Sequence, residues 1–371
     1  MPALSRTDNS IVGRWWWTVD KWTLLALFLL AVAGMIMTMA ASPPMAYRLG
    51  LDPQHFVVRH AILLPFALMA MIAISTMSLK AVRRLALAMF VISLLLMVLT
   101  VTTGEEVKGA SRWIYIFGFS IQPSEFVKPA FAVMTAWLLA PRSANEEIPG
   151  AAICTLIFTL IIALLMAQPD IGQAGVFTAV WLSQWFLAGL SIAWIGGSAV
   201  LGGLSLMAAY FVFPHVALRI DRFMDPSATS YQIERATQAF LAGGYTGEGP
   251  GEGIIKASIP DAHTDMVMAV AGEEYGLIMT LGIVAIFAFI VLRGFSRLFK
   301  EHNAFVTLAG FGLLVQFGLQ AAINMASTLN LIPTKGMTLP FMSYGGSSLL
   351  AMSIGMGMLL ALTRRRVGEE E

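Results

Sequence analysis

Apolar residues in this chain come in unbroken runs of about twenty, set apart by polar interruptions, and do not recur with the period of an amphipathic helix or strand. A bilayer core is crossed by about 20 apolar residues in a helix. On that ruler ten stretches predict transmembrane helices, at roughly 24–41, 56–79, 85–102, 122–140, 150–167, 170–187, 191–213, 264–292, 304–326 and 340–362. The pattern predicts an all-α polytopic membrane protein of about ten transmembrane helices, an even number that leaves both termini on one side. Its organisation reads as a tail over 1–23, a membrane domain over 24–366 with one long polar segment at 214–262 between helices 7 and 8, and a tail over 367–371. The first run, Leu24 to Ala41, lacks a clear small-residue cleavage site ahead of Pro43 and reads as an uncleaved signal-anchor helix.

The polar interruptions carry patterns of their own. Only Gln168, Pro169 and Asp170 separate the fifth and sixth stretches, which predicts a tight re-entrant turn. Inside the long segment, Tyr231 to Ala242 sets Ile233, Ala236, Phe240 and Leu241 against Gln232, Glu234, Arg235 and Gln238, a short amphipathic helix suited to a membrane interface. Six glycines follow between Gly243 and Gly253. A P-loop needs GxxxxGK[ST], and Glu248 and Glu252 would repel phosphate, so this stretch reads as a flexible hinge. No internal repeat is evident, which weakens an inverted-repeat transporter.

Composition and charge narrow the picture. Charged residues make up 12% of the chain, half the share of a soluble protein at about 25%, so a soluble domain is excluded. The lone cysteine, Cys154, lies in an apolar run and leaves neither a disulfide framework nor a cysteine metal site. The charges form no basic stripe, which excludes nucleic acid as a partner. Lys and Arg set orientation. With the N-terminus inside, thirteen of the 23 fall on cytoplasmic segments (Arg6, Arg14, Lys21, Lys80, Arg83, Arg84, Arg142, Arg293, Arg297, Lys300, Arg364, Arg365, Arg366). Eight fall outside, half of them in the 214–262 loop. Both termini are therefore predicted cytoplasmic and the long loop outward, with Trp15, Trp16, Trp17 and Trp22 forming an interfacial belt.

A charge at the bilayer centre costs roughly 2.5–3.5 kcal/mol on insertion scales, so ionisable residues at membrane depth are functional candidates. The segment IPDAHTDMVMAVAGEEYG, Ile259 to Gly276, places His263, Thr264 and Asp265 at the entrance of a helix expected to begin near Ala262. Asp265 either favours the positive helix end or serves a site, sharing a helix face with Gly272 and Gly276. Glu273, deeper in the helix, reads as a partner for a buried cation, beside Glu274. In GASRWIYIFGFSIQPSEFVKPA, Gly109 to Ala130, Arg112 beside Trp113 suits an anionic group on a sugar or lipid, although Trp113 alone also fits an interface anchor. Glu125 and Lys128 are three apart on one helix face and pair inside the membrane, for structure or for binding. Asp170, in AQPDIG, is either a helix cap or a substrate or metal ligand. Gln316, Gln320, Asn324 and Ser327 form a stripe that reads as interhelical hydrogen bonding. Finally, IPTKGMTLPFMSYGGSS, Ile332 to Ser348, puts Lys335 outside and a Pro340-broken backbone with Ser343 at the top of the tenth span. Such backbone is tolerated at membrane depth where it is buried or lines a cavity.

GASRWI with QPSEFVK, AQPDIG, YQ with the glycine-rich loop, AHTD followed by GEEYG, and PTKGMTLPFMSYGGSS occur in that order and together resemble the shape, elongation, division and sporulation (SEDS) family over about residues 20–366. PTKG before LPFMSYGGSS looks more like the cell-division branch than the elongation branch. The resemblance implies a SEDS-type transmembrane peptidoglycan glycosyltransferase over 24–366. Such an enzyme polymerises lipid II into glycan chains at the outer face of the bacterial cytoplasmic (inner) membrane, at the division septum. It also implies a cognate class B penicillin-binding protein and other divisome membrane proteins as partners. Residue by residue, the family's outer-loop acid falls on Asp265, its loop tryptophan on Trp113, and its fourth-span acid and base on Glu125 and Lys128. FVKP, with Pro129, departs from the usual apolar residue and bears on where Lys128 points.

On that resemblance Asp265 is the general base for the 4-hydroxyl of one lipid-linked disaccharide, and Arg112, Lys128, Arg235 and Lys335 are candidates to meet the pyrophosphate leaving the other. Trp113, Glu125, Asp170, His263 and Ser343 complete the expected substrate-binding set. A divalent cation, Mg or Mn, held by Asp170 or Glu125, is expected to share the charge, although no standard metal motif is present. Two rivals stand beside this expectation. A lipid II flippase would use the same interior polar stripe without needing an outer carboxylate, and a non-catalytic division scaffold leaves Asp265, Glu125 and Lys128 unexplained.

Overall fold

The structure, a computed structural model, describes residues 10–103, 105–107, 110–116, 119–141, 149–212, 214–225 and 230–365. Arg6, Gly109, Arg142, Arg366 and the 367–371 tail lie outside the described residues.

A short α1 (Ile11–Thr18) precedes the long helices α2 (Lys21–Arg48), α3 (His55–Ser75) and α4 (Leu79–Thr103). Three strands follow, then α5 (Pro123–Leu139), α6 (Gly150–Ala167), α7 (Ile171–Leu187) and α8 (Ile192–Val212). The long polar segment supplies α9 (Pro214–Met224), α10 (Tyr231–Gly243) and a 3-10 turn at Ile255–Ser258, and the chain ends on α11 (Val267–Leu298), α12 (Ala304–Thr328) and α13 (Gly346–Leu362). Each apolar stretch of the sequence falls on one of these helices. Among the described residues, six of them, α2, α3, α4, α6, α11 and α12, are long and apolar enough to cross a membrane. The chain is a multi-pass membrane protein.

The expectation of an all-α chain needs one correction. Strands β1 (Glu105–Val107), β2 (Ala110–Ile116) and β3 (Phe119–Ile121) form a small antiparallel sheet in the order β1-β2-β3, with Ile114 opposite Ile121. The run SRWIYI is aromatic and β-branched, which favours a pleated strand, and it is too short to cross a bilayer.

α12 lies at the centre of the bundle, packed on α5, α7 and α11, while α13 packs on α3 and α5. Between α12 and α13 the chain runs without regular structure from 329 to 345, and Met337, Leu339, Phe341 and Met342 along it are buried. The irregular backbone at depth is thus enclosed by protein, as the bilayer requires. Pro340 and Phe341, whose φ is 64°, hold a turn, so the last helix begins at Gly346 instead of 340.

α11 is two helices joined at a break. Gly276 adopts φ 72° and ψ −171°, a conformation that L side chains rarely take. The glycine-rich loop closes on this break. Leu277 N donates to Gly244 O at 2.9 Å, Ile278 N to Tyr245 O at 3.2 Å, and Glu248 N to Glu273 O at 2.9 Å. The loop is therefore a backbone clamp and not a hinge. Glu273 departs from its expected role as well. Its carboxylate accepts the backbone N–H groups of Ile255 (2.6 Å) and Lys256 (2.7 Å), while Glu274 takes the Lys256 ammonium.

Gly276→Ala is expected to cost about 2 kcal/mol or more, because a left-handed φ costs an L residue roughly 1–2 kcal/mol and the added Cβ collides with the backbone of Tyr245 and Gly247. Gly282→Ala, on the same helix with open space around it, should be neutral or stabilising by up to about 1 kcal/mol. Thermal unfolding of both purified variants in detergent compares them, and equal melting would remove the strain from the account.

Candidate active site

Asp265 stands in a turn ahead of α11 and not on it. Asp261, at φ 53°, bends the chain so that its carbonyl accepts the N–H groups of Thr264 (3.1 Å) and Asp265 (3.0 Å). The expected helix start near Ala262, and the face shared with Gly272 and Gly276, are therefore not formed. The space beside Gly272 is taken by the Phe240 ring of α10. That helix is no free interfacial helix, since Ile233, Ala236 and Ala239 pack with Met266, Ala269 and Val270 in one buried cluster.

The turn is pinned from several sides. Asn324 of α12 donates from Nδ2 to the carbonyls of Asp265 (2.9 Å) and Met337 (2.6 Å). Ser343 donates its hydroxyl to Thr264 O and accepts the Leu339 N–H at 2.8 Å. Tyr344 N donates to His263 O at 2.8 Å. The buried His263 ring packs against Phe56 and Tyr344, with centroids 4.9 and 5.5 Å away. Burial lowers its pKa below the ordinary 6.5, with Asp261 opposing. His263 and Ser343 thus act as supports of the Asp265 turn.

The half-buried Asp265 carboxylate faces Gly336, where a Cβ would stand 3.0 Å from Oδ2. The preceding residue, Lys335, runs across Gly172 and brings Nζ to 2.7 Å from Asp170 Oδ1. Any side chain at position 172 would collide with that lysine stem. Arg112 Nε lies 3.5 Å from Asp170 Oδ2 and donates to Gln168 O at 3.2 Å, with a second donation to Pro169 O. The Asp170 side chain is 3% exposed, beneath Lys335 at 14% and Arg112 at 25%. One buried carboxylate thus holds two partly exposed cations, one of which, Lys335, immediately precedes the Gly336 that Asp265 faces.

A polar chain continues inward from there. Asp170 caps α7 by accepting the Gln173 N–H at 3.3 Å, and Gln173 Nε2 donates to Glu125 Oε1 at 2.7 Å. Lys128 Nζ sits 2.9 Å from both Glu125 oxygens and 2.8 Å from Gln320 Oε1. Gln320 in turn donates to Thr338 O at 3.1 Å. Glu125 and Lys128 are buried, so they form the wall of the site and not its lining. Pro129 sits inside α5 and offers no N–H to the Glu125 carbonyl, yet Lys128 keeps its pairing with Glu125.

Two expected residues stand differently. Neighbouring side chains of a strand point to opposite faces, so Arg112 and Trp113 on β2 do not present one joint surface. Arg235 is engaged within α10, donating to Gln238 Oε1 at 2.8 Å and lying 5.0 Å from the Tyr231 ring centroid. The structure also adds Gln173 and Thr338, which spacing alone did not mark, and makes Asn324 of the polar stripe the cross-brace to the Asp265 turn. For Gln173 the signal was its place three residues after the Asp170 cap.

Neither Asp170 nor Glu125 fits a resident divalent cation as packed. Each already holds a cationic side chain and a hydrogen-bond donor, and among the described residues no group of three or more His, Cys, Asp or Glu side chains converges.

Long apolar helices with a buried network of ionisable side chains among them define a multi-pass membrane protein. The chain belongs to the FtsW, RodA and SpoVE family of cell cycle proteins, the SEDS family, whose model matches residues 21–367. Among curated relatives, the probable peptidoglycan glycosyltransferase FtsW of Caulobacter vibrioides (strain NA1000 / CB15N) is 44% identical, with 99% of this chain and 94% of the relative aligned. The protein of the same name from Trichlorobacter lovleyi is 35% identical over 91% and 92%. A chain of a solved peptidoglycan synthase complex that coordinates polymerization and crosslinking superposes with TM-score 0.78 at 25% identity, covering 93% of this chain and 97% of its own. The Thermus thermophilus rod shape determining protein RodA shares the fold, with TM-score 0.66 at 23% identity over 94% and 97%.

Two outcomes test this geometry. Lys128→Ala should cost about 3–5 kcal/mol by leaving Glu125 buried and unpaired, while the double variant Glu125→Ala/Lys128→Ala costs clearly less than the two single changes added. A double-mutant cycle on thermal stability reads the coupling, and strict additivity would deny the pair its structural role. For His263 the folded pKa is lowered, so the unfolded state binds more protons and stability falls as pH drops below about 6.5. His263→Gln should flatten that fall between about pH 6.5 and 5, measured as Tm against pH.

Proposed function

We propose that this chain is a peptidoglycan glycosyltransferase that polymerises lipid II at the outer face of the bacterial cytoplasmic membrane during division. Ten membrane crossings, cytoplasmic termini, an outward-facing 214–262 segment and a place at the division septum belong to the same proposal. So does work beside a cognate class B penicillin-binding protein and other divisome membrane proteins. The names of the relatives support the activity. The observation that carries the site is the Asp265 carboxylate beside Gly336, one residue from the Lys335 that shares Asp170 with Arg112.

In the proposed reaction the 4-hydroxyl oxygen of the acceptor attacks the anomeric carbon of the donor. The bond from that carbon to the undecaprenyl pyrophosphate oxygen breaks, the configuration inverts, and Asp265 takes the hydroxyl proton. The departing pyrophosphate carries its negative charge toward Lys335 and Arg112, which Asp170 holds in position before the reaction begins. Glu125, Lys128 and Gln320 brace the Lys335–Thr338 segment from behind, and His263, Ser343 and Asn324 fix the Asp265 turn. Mg or Mn is proposed only as a companion of the pyrophosphate, brought in with the substrate and not lodged on Asp170 or Glu125.

Lipid II polymerisation by the purified protein, with a class B partner whose transpeptidase serine is replaced, tests the assignment. Asp265→Asn should lower the rate by about 10² to 10⁴, the usual contribution of a general base, while still melting like wild type. Equal chain formation by both proteins would sink the general-base role. Failure of wild type to make chains, together with movement of lipid II across vesicles, would favour the flippase.

A further inference from the structure

At the end of the bundle opposite Asp265, the α3–α4 turn and the ends of α11 and α13 meet the start of α12 around a cleft of about 980 Å³. The half-buried Leu79 gives it apolar lining, over the buried Leu298, Val306 and Leu362. Lys80, Arg293, Arg297, Lys300, Arg364 and Arg365 also line it, against the one carboxylate of Glu301.

Part of this charge is spoken for. Asp20, the cap of α2, receives Arg293 through three hydrogen bonds of 2.8 to 3.0 Å, and Arg297 lies 3.5 Å from the same carboxylate. Arg297 also donates to Thr363 O at 2.9 Å. Glu301 Oε1 accepts the backbone N–H groups of His302 (3.1 Å) and Asn303 (3.2 Å). Among the described residues, six cations line the cleft against the carboxylates of Asp20 and Glu301, an excess of basic side chains. Among the described residues no ion pair holds the exposed Lys80 or Lys300.

Short loops at the ends of membrane helices carry Lys and Arg as a matter of course, and scattered charges would need no ligand. Here cations from separate segments face one cleft, and apolar side chains line it beside them. Basic clefts between membrane helices suit phosphate-bearing lipid headgroups. A soluble phosphate would use the cations and leave the apolar lining unmatched, whereas a phospholipid matches both. We propose that this cleft binds the headgroup of an anionic phospholipid, with the two-phosphate headgroup of cardiolipin the best match to the charge excess. The site is separate from the glycosyltransferase reading and stands or falls without it.

The test uses the full-length protein, delipidated in detergent, titrated with cardiolipin, phosphatidylglycerol, phosphatidylcholine or inorganic phosphate, with bound ligand counted by native mass spectrometry. Cardiolipin should bind at least about tenfold more tightly than phosphatidylcholine. The variant Lys80→Gln/Lys300→Gln/Arg365→Gln should lose about tenfold in cardiolipin affinity while melting like wild type. Raising salt from about 0.05 to 0.5 M should weaken the wild-type complex, since screening shortens the reach of exposed charges. Equal affinity for phosphatidylcholine, or cardiolipin affinity unchanged in the variant, overturns the proposal. Inorganic phosphate binding as tightly as cardiolipin also overturns it, in favour of a soluble anion. Should the triple variant not fold, Lys300→Gln and the wild-type salt series decide, and indifference to both overturns the site.

Discussion

A peptide backbone that leaves the helix inside a membrane must find its hydrogen bonds in protein, because hydrocarbon offers none. This chain meets that demand between α12 and α13, and the rest of the bundle is arranged around the result. Asn324, Gln320 and Ser343 supply donors and acceptors to the irregular segment, through Met337 O, Thr338 O and Leu339 N. The same side chains reach outward to the Asp265 turn and inward to Lys128. Satisfying the backbone and placing the carboxylate are one task, done by one set of groups.

That dependence explains which features were legible in the sequence. Runs of apolar residues report burial in lipid directly, so every predicted stretch falls on a helix, with ends displaced by a few residues. The pairing of Glu125 with Lys128 was legible because three residues on a helix bring side chains together whatever the rest of the fold does. Asp20 with Arg293, or Arg112 with Asp170, could not be read this way. Their partners are brought together only by the packing of separate helices, and no local period records that. Asp265 was picked out from its chemistry, but its setting was misjudged. A polar run ahead of an apolar one looks like a helix start, and the left-handed Asp261 that delays the helix to Val267 is a local backbone choice with weak sequence marks. The glycine-rich loop misled for a related reason. Glycine density signals an unusual backbone, and flexibility is only one use of it. Here the glycines let two backbones approach, at the break of α11.

The break itself ties the outer segment to the core. Glu273 and Glu274 stand just before Gly276 and gather the chain around Ile255 and Lys256, so the fold of the 244–258 stretch is anchored on two buried carboxylates. Charges buried this deep are tolerated when paired or hydrogen-bonded. Asp265 lies between this anchor and the cross-brace from Asn324, held by the turn at one side and α12 at the other.

The electrostatic logic of the site follows from the position of Asp170. Two cations left together without a carboxylate would repel each other and swing toward water, and an arriving anion would have to order both. Asp170, buried under them, removes most of that repulsion and fixes their heads, with Oδ1 on Lys335 Nζ and Oδ2 toward Arg112 Nε. Lys335, Arg112 and Asp170 together keep a net charge near plus one, which in the proposed reaction favours a charge that develops beside them. Catalysis gains most from dipoles and charges that need no reorganisation at the moment of reaction. A carboxylate that makes two cations rigid therefore serves transition-state charge better than a third cation would, because a third cation adds attraction for every anion alike, bound substrate included, and raises affinity without lowering the barrier.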